Sequence, residues 1–470
     1  MPALDKQAFL KEYTRAVRDG AAALFAGAGI SRAAGYVDWK QLLKDIAEDL
    51  GLDVDRESDL VALAQYHVNH RKGRDRINQL LIDEFLEHVE LTNTHRLIAS
   101  LPISTVWTTN YDDLLETAFA AANKRIDVKR RPDDFSVTRR HSDVTIYKMH
   151  GDKTDPAQAV LTKEDYETYN NKRALFTISL KGDLARQTFL FLGFSFADPN
   201  VLYILSRVKQ LLEENSRKHY CIIRPPKPDG TKEAEYEVAR FPHWLADLHR
   251  YNIQPVLIDD YKEVEDLLVE LNRRAHLKDV FISGSATDCN PMGKERFELL
   301  CRTLGAELIK KGCNIISGFG AGVGDLVTFG AMQALQKNDD ERMQLWPFPQ
   351  TVPAGTDRAA FWKDYRERMM VNAGVCIVLA GNKQDATGAV VMAEGVRQEV
   401  EIARATGKVV IPVGATGHVA KELWDLYRST PADYFGSAYV SKNLDILGDP
   451  AADIPVLVQA ILDILKQVDR

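Results

Sequence analysis

Short, continuously apolar runs recur along this chain, separated by stretches in which apolar positions return at helical spacing. The first run is Ala22-Ala23-Leu24-Phe25-Ala26. Others follow at Val106–Thr109, Val144–Met149, Thr188–Leu192, Tyr220–Ile223 and Pro255–Ile258. Runs of this length with little alternation predict strands buried on both faces, as in a parallel sheet covered by helices. From Trp39-Lys40-Gln41-Leu42-Leu43 to about Leu101, charged and apolar residues alternate at helical spacing, which predicts a helical insertion. Asp112 and Asp113 are placed to start a helix after the second strand. Ahead of the first strand, segment 5–19 puts Phe9, Tyr13 and Val17 or Ala16 on one helical stripe. That stripe predicts either an ordinary packed helix or an assembly surface.

The alternation starts again near His276. Val280–Ile282, Cys313–Ile316, Gln344–Trp346, Val375–Leu379 and Val409–Ile411 read as strands, with a helix over Lys294–Lys311. Both halves therefore predict α/β folds of the doubly wound, Rossmann-like kind. The boundary falls between Asn272 and Leu277, giving domains over 1–275 and 276–470 with almost no linker. The halves share a fold class and no sequence repeat.

Composition narrows the function classes. At 470 residues, with 45% hydrophobic and 27% charged, the chain is an ordinary globular one and not a disordered or collagen-like one. No run reaches the roughly 18 uncharged apolar residues of a membrane helix. The start, MPALDKQAFLKEY, carries an acid and no apolar h-region, unlike a signal peptide. A net charge of -7 gives no electrostatic reason to expect duplex nucleic acid. The exception is Lys129-Arg130-Arg131 with Arg139-Arg140 nearby, which reads as a solvated loop. Five cysteines include no CxxC pair, so a zinc ribbon has no support. Sparse cysteines fit reduced thiols in a cytoplasm.

The chemistry-bearing segments each follow the carboxyl end of a strand, the edge where open α/β sheets bind ligands. Gly27-Ala28-Gly29-Ile30-Ser31 is a strand-to-helix glycine turn, suited to a pyrophosphate or simply to a tight turn. Arg32 stands where a strict G-x-G-x-x-G would need its third glycine. Asn110, two before Asp112, offers an amide to a carboxamide, a ribose hydroxyl or a water, or else caps a helix. His150 stands at a strand end before a glycine, and an imidazole titrates where proton abstraction at neutral pH needs it. A lone histidine is more often structural; three strand ends offering glycines, an amide and an imidazole to one crevice raise this one. In the second half, Ser283-Gly284-Ser285 and the glycine run 318–324 form a stronger anion cradle, with no nucleophile or base nearby. That predicts binding without catalysis.

Together GAGIS, TTNYDDLLE, KMHGD and GFSFADPN resemble the sirtuin-type NAD-binding fold over about residues 10–260. The resemblance implies that Gly27, Ala28, Gly29, Ile30, Ser31, Asp112, Gly193, Ser195 and Asp198 bind NAD+, and that Asn110 and His150 are catalytic. Two departures count against a protein deacylase. The chain cannot form the four-cysteine zinc module, and Thr109 stands where deacylases usually have glutamine. Both favour the branch that cleaves NAD+ with water and needs no metal. FISGSA, IISGFGAGVGD and the acidic helix around Glu394 and Glu399 are similar to the SLOG family. A sirtuin-like domain followed directly by a SLOG domain resembles the NAD-cleaving effectors of bacterial Thoeris antiphage systems. That resemblance implies a cytoplasmic NAD+ glycohydrolase, assembled as a homotetramer or larger. A cyclic ADP-ribose isomer, made by a TIR-domain partner, would switch it on. It implies signal contacts at Ser283, Gly284, Ser285, Gly318, Gly320, Arg366, Lys383 and Glu399, with Arg366 taken ahead of Arg368 and Glu399 ahead of Glu394. The alternatives are an NAD-binding sensor without catalysis, a zinc-free deacylase, and a scaffold in a nucleic-acid defence complex.

Overall fold

A computed structural model describes residues 5–468, apart from 38, 58, 87–88, 138, 197, 337–339, 350, 353–354 and 431–437. Ala197 of the GFSFADPN segment therefore lies outside the described residues. The chain divides into two compact units, Met1–Asn272 and Arg273–Arg470.

The first unit holds strands β1 (Ala22–Ala26), β2 (Thr105–Thr108), β3 (Ile126–Lys129), β4 (Val144–Lys148), β5 (Thr188–Leu192), β6 (His219–Ile223) and β7 (Ile253–Leu257). They form one parallel sheet in the order β3-β4-β2-β1-β5-β6-β7. Every residue of β1, β2 and β5 is buried, which is why these strands read as unbroken apolar runs. The chain leaves β1 for β2 on one side and returns to β5 on the other, so the strand order reverses at β1. The reversal opens a crevice at the carboxyl edge there. Register aligns its rim: Ala26 sits opposite both Thr108 and Leu192, and Thr108 sits opposite Lys148.

The helical insertion between β1 and β2 comprises Ala28–Ala34, Trp39–Leu42, Lys44–Asp49, Leu60–Arg71, Asp75–Leu86 and Asn93–Ser100. The N-terminal helix is Lys6–Arg18, capped by Asp5. Its stripe belongs to the unit's own core: Phe9 and Tyr13 are fully buried, and their rings lie 5.3 and 6.0 Å from that of Tyr220. Tyr13 OH also donates to Ala23 O at 2.9 Å. The stripe is therefore not a free face for another subunit.

Strand β3 escaped the apolar pattern because its residues alternate between half-buried and buried and include Asp127 and Lys129. The basic run that begins on it is not a solvated loop. Lys129 is buried, paired to Asp127 at 3.0 Å and bonded to Asp134 O at 2.7 Å. Arg130 reaches Asp152 at 3.0 Å and Glu116 at 3.4 Å. Arg131, Arg139 and Arg140 are exposed.

The second unit contains β8 (Asp279–Ser285), β9 (Asn314–Ser317), β10 (Met343–Leu345), β11 (Val375–Ala380) and β14 (Val409–Val413), parallel in the order β10-β9-β8-β11-β14. The helix Lys294–Lys310 follows β8. A small antiparallel hairpin of β12 (Asn382–Gln384) and β13 (Val390–Met392) follows β11. Its strands, three residues each, are too short to show as a hydrophobic pattern. Both units are Rossmann-like, doubly wound α/β folds. Among the described residues, no helix is long and apolar enough to cross a membrane.

Candidate functional site

At the rim of the first sheet, β1 runs into the turn that starts the short helix Ala28–Ala34. Two of that turn's amides already have partners: Gly27 N donates to Leu192 O at 2.8 Å and Gly29 N to Gly193 O at 2.9 Å. A Cβ at Gly27 would stand 2.4 Å from Gly193 O, and one at Gly193 would stand 2.7 Å from Ile30 N, at a backbone φ of +62°. The loop after β1 and the loop after β5 thus pack backbone on backbone, and glycine at both positions answers that contact first. Ala28, Gly29, Gly193 and Ser195 remain exposed on this rim, while Ile30 and Ser31 are buried beneath it.

After β2 the chain presents Asn110 and Asp112, both buried. Asn110 Nδ2 donates to Gly27 O at 3.1 Å and to Ser31 Oγ at 2.8 Å. Ser31 Oγ passes the link on, donating to Asp112 Oδ2 at 2.6 Å. Asp112 Oδ1 accepts from Leu114 N at 3.0 Å, the first amide of the helix Leu114–Ala121, whose N-cap is Asp113. Asp113 turns outward to Lys153 at 2.8 Å instead. The amide of Asn110 is fixed by its nitrogen, and its Oδ1 is buried with no hydrogen-bond partner.

After β4 comes His150, also buried. Asn110 and His150 each lie two residues beyond the paired Thr108 and Lys148, so adjacent parallel strands deliver them side by side. His150 Nε2 lies 3.1 Å from Asp198 Oδ2, at ion-pair distance but without hydrogen-bond alignment, and so has no hydrogen-bond partner. Asp198 N-caps the helix Pro199–Leu212 through Val201 N at 2.9 Å, and its Oδ2 also accepts from Tyr166 OH at 3.2 Å. Burial pushes its carboxyl up, but the His150 contact and these bonds outweigh that and hold it below the usual carboxylate range. The Tyr166 ring stands edge-on to the imidazole, 5.6 Å between centroids. Asp198, expected at the cofactor, is thus placed against the catalytic candidate His150.

Beneath these residues lies a charged cluster that the sequence reading passed over. Lys148, Asp152, Glu116 and Arg130 bond to one another below the loop that carries Asn110 and Asp112. The signal is present in KMHGD, where a lysine stands at a buried position at the end of β4 and an acid follows four residues later.

The second unit gathers its own group at the carboxyl edge of β8. Ser283, wholly buried, donates from Oγ to Glu399 Oε2 at 2.6 Å. Arg366 Nε stands 3.9 Å from Glu399 Oε1, its guanidinium 4.5 Å over the Phe348 ring, and Nε has no hydrogen-bond partner. Burial pushes the Glu399 carboxyl up to about 7, against the opposing pull of Ser283 and Arg366. Arg368 is half-exposed and pairs with Asp364 at 2.8 Å, and Glu394 is exposed. Ser285 Oγ donates to Asn382 O at 2.9 Å, tying β8 to the hairpin that carries the exposed Lys383.

The glycine run packs as the first turn does. A Cβ at Gly320 would stand 1.9 Å from Gly284 O, and one at Gly284 would stand 2.4 Å from Leu379 O. Gly318 has ordinary room, with Met369 Sδ at 3.5 Å. Phe319 between them is 40% exposed and held at φ +57°, a strained setting for a bulky side chain. Among the described residues, no group of three or more potential metal-ligating side chains gathers anywhere.

Family models match both units: a SIR2-like domain over residues 104–254, and the Sir2- and TIR-associating SLOG family over 263–468. The chain is similar to NAD(+) hydrolase ThsA of Bacillus cereus (strain MSX-D12), 42% identical over 97% of each chain. It is similar to NAD(+) hydrolase ThsA of Cytobacillus dafuensis, 38% identical over 98% of this chain and 97% of that one. Defense-associated sirtuin 2 of Bacillus subtilis is 27% identical, covering 56% of this chain and 26% of its own.

Proposed function

The chain belongs to the family of NAD(+) hydrolase ThsA, and on that premise we propose that it cleaves NAD+ to nicotinamide and ADP-ribose. The observation that carries this reading is that neighbouring strand ends deliver Asn110 and His150 side by side, with Asn110 Oδ1 buried and unpartnered and the imidazole set against Asp198. Buried polar atoms are nearly always satisfied, so the orphaned Asn110 Oδ1 calls for a ligand. Asn110 Oδ1 accepts from a ribose hydroxyl or from the attacking water, with its nitrogen already committed to Gly27 and Ser31. Nicotinamide leaves as a neutral base, and the oxocarbenium-like ribose is captured by water whose proton passes to His150. Asp198 steadies the imidazolium that results. The Gly27–Ser31 rim, Gly193 and Ser195 face the phosphates and riboses, and Asp112 lies on the nicotinamide side.

In this reading residues 1–275 cleave NAD+ and 276–470 sense the signal. The signal is a cyclic ADP-ribose isomer made by a TIR-domain partner, held by Ser283, Gly284, Ser285, Gly318, Gly320, Arg366, Lys383 and Glu399. The protein acts in the cytoplasm as a homotetramer or larger assembly, and its trigger is phage infection. A guanidinium stacked on Phe348 beside a buried carboxylate supports the sensor half: one group suits a pyrophosphate and the other a ribose hydroxyl. The test is release of nicotinamide from NAD+ by the purified protein, with and without each cyclic ADP-ribose isomer. No release under any of them would refute the reading.

A further inference from the structure

Lys148 ends β4 and is completely buried. Its Nζ is surrounded by four acceptors: Asp112 O at 2.5 Å, Tyr111 O at 3.2 Å, Glu116 Oε1 at 3.1 Å and Asp152 Oδ2 at 2.5 Å. An ammonium has three N–H donors, so this one is fully engaged. Arg130 bonds to the same two carboxylate oxygens. Asp152 is itself anchored, its Oδ1 accepting from Thr154 N at 2.9 Å and Thr154 Oγ1 at 2.6 Å.

A cluster of this kind is a poor source of stability, because desolvating the ions offsets most of their attraction. Well-packed apolar side chains would hold the fold as well. What they would not do is grip backbone carbonyls. Two of the four acceptors are carbonyls of the loop after β2, and that loop carries Asn110 and Asp112. Asn110 N is bonded to Thr108 Oγ1 at 3.0 Å, which fixes the start of the loop. Lys148 fixes its middle from below.

We propose that Lys148 is a positioning residue for NAD+ cleavage, its buried ammonium clamping the Tyr111 and Asp112 carbonyls so that Asn110 and Asp112 are presented at a fixed depth beside His150. This inference rests on the NAD+-cleaving reading. The clamp acts on turnover more than on capture, because it sets the aim of Asn110 and leaves the rim of Gly29, Gly193 and Ser195 in place. A misplacement of about 1 Å costs on the order of 10² in rate.

The test compares Lys148→Met with Glu116→Gln in the full-length protein under signal. Both disturb the ion cluster, but Glu116 touches no loop carbonyl. Lys148→Met is expected to lower kcat by about 10² with KM changed less than about threefold. Glu116→Gln is expected to keep kcat within about threefold of wild type. A folded Lys148→Met with wild-type kcat overturns the proposal, and so does an equal loss of kcat in Glu116→Gln. Should Lys148→Met fail to fold, Lys148→Met/Asp152→Leu removes one charge of each sign and must show the same loss of kcat. Should wild type itself cleave no NAD+, the functional reading fails separately. Hydrogen exchange at the amides of residues 110–114 then decides the clamp: faster exchange in Lys148→Met but not in Glu116→Gln supports it, and equal exchange overturns it.

Discussion

Asp198 Oδ2 stands 3.1 Å from His150 Nε2, and the same oxygen accepts a hydrogen bond from Tyr166 OH. The helix cap at Val201 N holds the carboxylate there, so the imidazole has a counter-ion set by secondary structure. An imidazole that takes up a proton during turnover is stabilised by such a partner, as in acid–base dyads generally. Replacing His150 by Ala is expected to cut activated turnover by about 10² to 10⁴. Asp198→Asn keeps the shape and removes the charge. It is expected to lower kcat by tenfold or more, since the imidazolium formed during turnover loses its counter-ion. An unchanged kcat in Asp198→Asn would leave the carboxylate with the helix cap and Tyr166 alone.

Asn110→Ala removes the two donors that join Gly27 O and Ser31 Oγ, and with them the unpartnered Oδ1. Turnover is expected to fall to the level of His150→Ala while the fold persists. Unfolding is expected to become easier by about 1–3 kcal/mol, because acceptors at a buried rim lose their bonds. Nicotinamide release together with a thermal melt checks both; a well-folded variant with wild-type turnover places the reacting atoms elsewhere.

Arg366 and Arg368 sit two residues apart on the helix Arg358–Met370 with different surroundings. The first is buried beside Glu399 and over Phe348, and the second is tied to Asp364 at the surface. Taking an effector from about 1% to 99% active needs a preference of about 10⁴ for the active state, roughly 5.5 kcal/mol. A charged contact made in one state only is the natural source of such a preference. Arg366→Ala is expected to lose calorimetric binding of the cyclic nucleotide and all activation by it, and Arg368→Ala to keep both. Full activation of Arg366→Ala at the wild-type signal concentration means that the sensor lies elsewhere.

Glu399 supplies a pH signature. Burial raises its carboxyl from the ordinary value to about 7 in the folded protein. A raised folded value means that the stabilising, protonated form is complete below the unfolded value of about 4.3. That contribution is lost as pH rises through about 7. The second unit is therefore expected to lose stability between these limits, by on the order of 3 kcal/mol relative to Glu399→Gln. Denaturant melts of both proteins at pH 4.5 and pH 7.5 measure the difference directly. Parallel pH dependences would show that Glu399 ionises in the folded protein as freely as in the unfolded chain.

Gly320 and Gly318 look alike in sequence and differ in space. A Cβ at Gly320 would press on Gly284 O at 1.9 Å, whereas one at Gly318 meets Met369 Sδ at 3.5 Å. Gly320→Ala must move one loop off the other and is expected to lower the melting temperature by several degrees, a loss of about 1–3 kcal/mol. Gly318→Ala is expected to melt within about a degree of wild type. Equal melting temperatures for the two variants would mean that the loops yield without strain.

Much of this molecule is legible from residues alone, for a physical reason. A strand buried on both faces of a parallel sheet must be apolar throughout, so β1, β5 and β11 announce themselves as runs, and the polar motif after each run marks the ligand-binding edge. Asn110, His150 and the glycine turns stand at such edges, so the sequence alone picks them out. Strand β3 and the hairpin of β12 and β13 could not be picked out, because β3 carries Asp127 and Lys129 and the hairpin strands are only three residues long. Partners could not be named either. That Asp198 meets His150, that Lys148 grips the loop of Asn110, and that Glu399 and not Glu394 meets Arg366 are matters of register and of helix placement across long sequence separations. Hydrophobic periodicity says which side of a strand or helix faces inward. It carries no information about which buried charge finds which, because that choice is made only when separate elements close on one another.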